Sequence, residues 1–161
     1  MTPRFLADKT VGRLAKWLRL LGFDCEFRQD DAWDDLVDLA RNENRILISK
    51  NTRLQHDKDL PESLFIESDH GEEQLKQVLK YYDLTIECES FLTICSVCNV
   101  PVKDVDPESV RGIVPPYVFA TRKTFRRCPK CGRIYWAGTH KTRVIGHLQG
   151  VLDTEPGSSS D

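Results

Sequence analysis

Short apolar runs alternate with amphipathic stripes along the first half of the chain. The run at 5–7 predicts a strand, and the apolar positions from Val11 to Leu21 recur at helical spacing until Gly22 interrupts them. Alternation over Phe23 to Phe27 predicts a second, half-buried strand. The predicted elements are strands at 5–7, 23–27, 46–48 and 64–66, and helices at 11–21, 34–40 and 75–82.

This alternation of strands and helices predicts an α/β fold with a mostly parallel sheet and helices on both faces. The carboxyl ends of parallel strands gather along one edge, where ligand sites form. Asp8, Asn51 and Asp69 each follow a predicted strand. We therefore expect their side chains at that edge.

Asp8 has two interpretations. It can cap the following helix by accepting hydrogen bonds from backbone N–H groups, or it can belong to a functional site. The second gains support from Asp30, Asp31, Asp34 and Asp35, which lie in and after the loop from the second strand. Carboxylates that meet in one pocket repel unless a cation neutralises them, and oxygen ligands suit Mg²⁺ or Mn²⁺. Such ions support phosphodiester hydrolysis, so cleavage of a nucleic-acid strand is the expected reaction class.

The sequence lacks the motifs of several common classes of enzyme. It has no Gly-rich phosphate loop, no dinucleotide fingerprint and no Ser-His-Asp order. No apolar run is long enough to cross a membrane, and no secretory leader is recognisable. We expect a cytoplasmic protein without membrane association.

Two Cys-x-x-Cys pairs mark a second module. They are separated by twenty-nine residues and occur in "FLTICSVCNV" and "RRCPKCGRIYW". Paired knuckles of this kind hold one tetrahedral zinc through four thiolates, which leaves no open position for water. The predicted ligands of a structural zinc are Cys95, Cys98, Cys128 and Cys131.

Charge is distributed unevenly, although its sum is only −2. Nine bases and no acid lie between Arg111 and Arg143, interleaved with aromatic residues such as Tyr117 and Tyr135. Bases and rings together are typical of single-strand binding, whereas the alternative is a solvated surface over a small aromatic core. The candidate RNA-binding residues are Arg122, Lys123, Arg126, Arg127, Lys130, Arg133, Lys141 and Arg143. We place a first domain at 1–88, a zinc ribbon at 89–148 and a flexible tail at 149–161.

To about residue 146, the chain resembles the Mut-seven C-terminal domain family of PIN-like ribonucleases. The resemblance is carried by "RFLADKTVGRLAKWLRLLGFD", "ARNENRILISKNTRL", "IESDHGEEQL", "CSVCNV", "VPPYVF" and "RCPKCGRIYWAGTH". It implies a PIN-like nuclease fold fused to a small β-rich zinc ribbon, and a metal-dependent RNase activity. It also implies that the family's acids correspond to Asp8, Asp30, the pair Asp34 and Asp35, and Asp69.

One position departs from the family pattern. Where the family commonly has an acid after the third strand, this chain reads Ser49-Lys50-Asn51. The amide oxygen of Asn51 can ligate a hard cation, but it contributes no charge and cannot act as a base. Asp57 or Asp59 is a candidate substitute a few residues later.

Together these observations favour a Mg²⁺- or Mn²⁺-dependent RNase that acts on single-stranded or loop RNA. The expected metal ligands are Asp8, Asp30, Asp34 and Asp69, with Asn51 as a weaker contributor. A noncatalytic RNA-binding adaptor is the main alternative, and a phosphorylated receiver is a third.

Overall fold

A four-stranded parallel sheet forms the first part of the molecule. The computed structural model describes residues 2–137, 143 and 145–150. Its first elements are β1 Phe5–Asp8, α1 Gly12–Leu20, β2 Cys25–Arg28, α2 Trp33–Asn42, β3 Ile46–Ser49, α3 Arg53–His56, β4 Ser63–Phe65 and α4 Gly71–Tyr81. The strands are parallel and lie in the order β2-β1-β3-β4. The predicted α/β class is confirmed.

Helices cover both faces of this sheet. On one face, Phe5 and Ile48 pack in a large cluster with side chains of α1 and α4. On the other, Leu6 and Leu47 pack against α2. Both faces are buried, so β1 and β3 are almost entirely apolar and every residue in them is buried.

A small antiparallel sheet forms the second part. Its elements are β5 Lys103–Val105, α5 Pro116–Thr121, β6 Phe125–Arg127 and β7 Ile134–Tyr135, with the strands in the order β5-β6-β7. Val110, Val114, Val118 and Phe125 form its own buried cluster. The expected small β-rich unit is therefore present, although α3 and α5 were not predicted.

A buried arginine joins the parallel sheet to the first Cys-x-x-Cys turn. The side chain of Arg19 in α1 is only 7% exposed, and its Nε donates to the carbonyl of Cys25 at 2.8 Å. Its Nη1 donates to the carbonyls of Ser96 and Val97, at 3.0 and 3.2 Å. These carbonyls belong to the first Cys-x-x-Cys turn, so one guanidinium attaches that turn to α1 and β2.

Asn99 makes a second connection at the same edge. Its amide donates to Asp24 at 2.7 Å, and its carbonyl oxygen accepts from the N–H of Cys25 at 3.0 Å. Burial by itself raises the pKa of Asp24, but hydrogen bonds from Arg45 and Asn99 and the charges of Arg45 and Arg4 lower it overall. This side of edge strand β2 is thereby covered and its first N–H satisfied.

The later part of the chain also returns to the first sheet. Ile145 and Leu148 are buried in the cluster that contains α1 and α4, and a ring nitrogen of His147 lies 2.6 Å from Glu72. Residues 149 and 150 continue this helical segment, and the remainder of the predicted tail lies outside the described residues. The domain boundary at residue 88 stays a prediction.

Candidate active site and cysteine cluster

The direction of chain progression reverses between β1 and β3. From β1 the chain passes to β2 on one side, and then crosses to β3 on the other. Ligands bind in the crevice outside the carboxyl ends of strands at such a reversal. Asp8 ends β1 and Ser49 ends β3, one register position beyond the pair formed by Ala7 and Ile48. The two side chains therefore meet at this crevice.

Asp8 is a buried carboxylate held by hydroxyl groups. Its side chain accepts from the N–H and the Oγ1 of Thr10, at 3.0 and 2.5 Å, and from the Oγ of Ser49 at 2.5 Å. Asp8 is 6% exposed and Ser49 is fully buried. No Lys, Arg or His of the described residues forms an ion pair with Asp8.

The capping role and the site role coexist at Asp8. Its bond to the N–H of Thr10 caps the short 3₁₀ helix Lys9–Val11, as the first interpretation requires. The contact with Ser49 joins two strand ends and has no part in capping. Sequence reasoning missed Ser49 and Thr10. The available signal for Ser49 was a serine at the end of the apolar run of β3. Its side chain lies on the same buried face as that of Leu47, where a hydroxyl needs a hydrogen-bond partner.

Lys50 and Asn51 extend this group of polar residues. The N–H of Lys50 donates to Thr10 Oγ1 at 2.9 Å, and its ammonium forms an ion pair with Asp69. The Oδ1 of Asn51 accepts from the N–H of Arg53 at 2.9 Å, at the start of α3. Asp69 is thus already neutralised by a side chain, and Asn51 forms a local turn.

The other predicted ligands are exposed. Asp30 lies in the bend after β2, Asp34 in the first turn of α2, and Asp69 in the loop before α4. In residues 2–137, 143 and 145–150, these acids do not form a group of three or more whose ligand atoms lie within 4.8 Å of one another. The Mg²⁺ or Mn²⁺ ligand set stays a prediction.

Both suggested substitutes for Asn51 pair with arginine side chains, and their role at this edge stays a prediction. Asp57 accepts from the indole of Trp33 at 3.0 Å and pairs with Arg53 at 3.3 Å. Asp59 pairs with Arg41 at 3.4 Å. Both acids connect α2 to the segment around α3.

The four motif cysteines come together. The sulfur atoms of Cys95, Cys98, Cys128 and Cys131 all lie within 4.8 Å of one another. Cys95 and Cys131 are 3.7 Å apart, close to the ~3.8 Å edge expected for a tetrahedron with Zn–S bonds of about 2.3 Å. Four sulfur donors at this spacing fit a zinc ion.

Hydrogen bonds favour the thiolate form of one cysteine in this cluster. Burial opposes ionisation of Cys95, but hydrogen bonds from the Tyr135 hydroxyl and from the N–H groups of Cys98 and Val97 lower its pKa to about 6. Burial and hydrogen bonding to the thiols of Cys131 and Cys128 raise the pKa of Cys98 to about 12. A cation bound by all four sulfur atoms would stabilise every thiolate, so Cys98 could ionise together with Cys95.

The sequence model of the Mut7-C RNAse domain family matches residues 3–148. The chain belongs to this family. The match includes both sheets and the cysteine cluster, and membership supports a nuclease-type function. Comparisons with curated proteins and with solved structures found no match.

The predicted RNA-binding residues of this Mut7-C chain have different local roles. Arg126 contacts Asp104 and the carbonyl of Leu92, each at 3.3 Å, and Arg127 donates to the carbonyl of Gly132 at 3.1 Å. Arg122 is half-buried, Lys141 lies outside the described residues, and the others are exposed: Lys123, Lys130, Arg133 and Arg143. The exposed bases remain candidates for phosphate contacts.

No helix in the described part of this Mut7-C chain has the length and apolar character needed to cross a bilayer.

Proposed function

We propose that the chain is a metal-dependent ribonuclease that hydrolyses RNA phosphodiester bonds at the carboxyl edge of the parallel sheet. One observation carries the proposal. In a Mut7-C RNAse domain, the buried carboxylate of Asp8 lies at the reversal of the sheet and is oriented by Ser49 and Thr10.

The donor atoms at this edge suit a hard cation. They are carboxylate, hydroxyl and amide oxygens, and Mg²⁺ and Mn²⁺ prefer such ligands. Asp8, Asp30, Asp34 and Asp69 would hold the ion, with Asn51 as a weaker contributor. The chemistry that a divalent ion supplies there is polarisation of a phosphate oxygen and activation of water.

The side chains have separate tasks in this proposal. Ser49 and Thr10 fix the carboxylate of Asp8 in one orientation, since each hydroxyl lies 2.5 Å from one of its oxygens. The ammonium of Lys50 pairs with Asp69 and lowers the net negative charge of this edge, which makes the approach of phosphate less unfavourable. Exposed bases of the zinc ribbon, such as Lys130 and Arg133, bind the RNA strand by its phosphates.

Cleavage of a labelled single-stranded RNA in Mn²⁺ or Mg²⁺ tests this function. The Asp8→Asn variant should lose cleavage and remain folded, because the amide keeps the shape of the side chain and removes its charge. Asp83→Asn is the matched control. It removes an exposed acid at the far end of α4, where φ is 52° and asparagine is well tolerated. EDTA should also stop cleavage, and the zinc content should be measured afterwards.

A noncatalytic RNA-binding adaptor is the second candidate. Two points favour it: the resemblance implies an acid where this chain has Asn51, and Asp69 is paired with Lys50. Both reduce the negative charge available to a cation. RNA binding without cleavage in Mg²⁺ or Mn²⁺ would support the adaptor, whereas cleavage that Asp8→Asn abolishes would exclude it.

A further inference from the structure

An open cavity of about 740 Å³ lies between α1 and the start of α4. Its lining includes Arg13, Lys16 and Trp17 from α1, and residues 70–73 from the other side. This volume falls within the range of about 300–1,000 Å³ typical of small-ligand sites. Its wall combines the apolar surfaces of Trp17 and Leu20 with the charged ends of Arg13 and Lys16, so it suits a ligand with both an apolar and an anionic part.

Three donors in this cavity have no partner in the part of the chain that the structure describes. Among the described residues, the side chains of Arg13 and Lys16 are exposed and form no hydrogen bond or ion pair, and the indole N–H of Trp17 has no acceptor. Arg19, on the same helix, differs from them because its guanidinium donates to three backbone carbonyls. Arg13, Lys16 and Trp17 therefore offer two charged groups and an indole donor to a ligand.

Two acids, Glu72 and Glu73, line the same cavity as the two bases. Glu72 already contacts His147 at 2.6 Å, which leaves Glu73 as the acid without a side-chain partner in the described lining. Arg13 packs across Gly71, where a Cβ atom would meet its Cδ at 3.0 Å. Glycine at 71 therefore lets the arginine stem lie against the start of α4.

The cavity opens at the same end of the sheet as the candidate active site. Gly12, the first residue of α1, follows Asp8 by four positions, and Gly71, the first of α4, follows Asp69 by two. Both helices therefore begin at the carboxyl edge. The cavity and Asp8 therefore share one end of the sheet, with the cavity on the face covered by α1 and α4 and Asp8 on the face of Leu6.

We propose that this cavity binds one nucleotide of a single-stranded RNA next to the scissile phosphate, an inference that rests on the proposed ribonuclease function. Arg13 and Lys16 contact backbone phosphate oxygens, and the indole N–H of Trp17 donates to an acceptor on the same nucleotide. Bases that pair with phosphate and an aromatic side chain that meets a nucleobase are the two components of single-strand recognition.

Binding is measured separately from cleavage. The anisotropy of a fluorescently labelled single-stranded RNA is titrated with zinc-containing protein in the absence of Mg²⁺ and Mn²⁺, at several salt concentrations. Arg13→Gln and Lys16→Gln should each weaken binding about 3- to 10-fold and reduce the salt slope by about 1, because each removes one phosphate contact. Lys80→Gln is the control: it removes one exposed charge from the other end of α4.

Trp17→Phe tests the indole donor. It keeps an aromatic ring in the half-buried position and removes only the N–H, so it should weaken binding about 2- to 5-fold with an unchanged salt slope. Thermal unfolding of every variant shows whether the fold is retained.

The outcomes separate the two proposals. If wild-type protein cleaves RNA but Arg13→Gln and Lys16→Gln bind it as Lys80→Gln does, the cavity assignment is wrong and the ribonuclease function stands. If these variants lose affinity while no protein cleaves RNA in any metal, the cavity binds RNA but has no scissile phosphate beside it, and the ribonuclease function fails. Wild-type protein that does not bind RNA overturns the cavity assignment.

Discussion

The hydroxyl of Ser49 lies 2.5 Å from Oδ2 of Asp8, so a fully buried side chain at the end of β3 holds the carboxylate at the end of β1. The bond connects adjacent strands at the point where the sheet reverses. It orients the only candidate catalytic acid that is buried among Asp8, Asp30, Asp34 and Asp69.

Replacement of Ser49 by alanine should therefore affect both stability and activity. A hydrogen bond to a charged group contributes about 1.5–3 kcal/mol, and the free energy of unfolding should fall by about that amount in Ser49→Ala. RNA cleavage should fall as well, because Asp8 gains rotational freedom. Urea unfolding and the cleavage assay measure the two effects.

Ser63→Ala is the matched control for this change. Ser63 is a half-buried serine in β4 whose hydroxyl has no hydrogen-bond partner in the described part of the chain. Equal losses in the two variants would show that the contact between Ser49 and Asp8 contributes nothing specific.

Arg19→Lys should destabilise the whole protein by about 2 kcal/mol, because charge-assisted hydrogen bonds contribute about 1.5–3 kcal/mol. One ammonium cannot reach both the Cys25 carbonyl and those of Ser96 and Val97 in the geometry of the planar guanidinium. Arg13→Lys, at an exposed position of the same helix, should change the free energy of unfolding by less than about 0.5 kcal/mol. Similar urea midpoints for the two variants would contradict the joining role of Arg19.

If the four cysteines hold zinc, its removal should loosen the parallel sheet as well as the cysteine cluster. Without the ion, the turn that carries Ser96 and Val97 loses its cross-link and Arg19 loses fixed acceptors. Amide hydrogen exchange should therefore accelerate in α1 and β2 after treatment with a zinc chelator, and return to its original rate when zinc is restored. Acceleration confined to residues 95–131 would show that the two parts are uncoupled.

Asp24 should contribute to the acid sensitivity of the protein. Its pKa is lowered in the folded state from the ordinary 3.8, so its contribution to stability is complete above 3.8 and is lost as the pH falls through the lower folded value. The difference in the free energy of unfolding between wild type and Asp24→Asn should be largest at neutral pH and shrink below 3.8.

The exposed acid Asp31 supplies the comparison for Asp24. Asp31→Asn should follow the wild-type curve of stability against pH throughout. A gap between wild type and Asp24→Asn that stays constant down to strongly acidic pH would rule out the linkage.

Tyr82→Phe should stabilise the protein by about 1 kcal/mol. The Tyr82 hydroxyl is buried and has no hydrogen-bond partner in the described residues, and burial raises its pKa strongly. Phenylalanine removes the unpaired hydroxyl and keeps the edge-on ring contact with Phe5 at 5.9 Å. Tyr81→Phe, at a position 65% exposed, should leave the melting temperature unchanged. A lower melting temperature for Tyr82→Phe would mean that the hydroxyl has a partner.

Local patterns in the sequence were sufficient for the α/β class, the four strands of the parallel sheet and the pairing of the cysteine motifs. Parallel strands buried on both faces must be apolar throughout, so Phe5–Ala7 and Ile46–Ile48 stand out from their neighbours. Spacing within each Cys-x-x-Cys is likewise a local property. Short helices such as α3 and α5 were not predicted, because four to six residues are too few to establish a helical period.

Only the tertiary structure decided which polar groups meet. Ser49 contacts Asp8 across forty-one positions, and Arg19 reaches Ser96 across seventy-seven, so no local pattern could reveal either pair. The same holds for the ion pair of Lys50 with Asp69 and for the cavity between α1 and α4. Sequence periodicity determines which face of each element is buried, whereas strand order and helix packing determine which side chains from distant segments become neighbours.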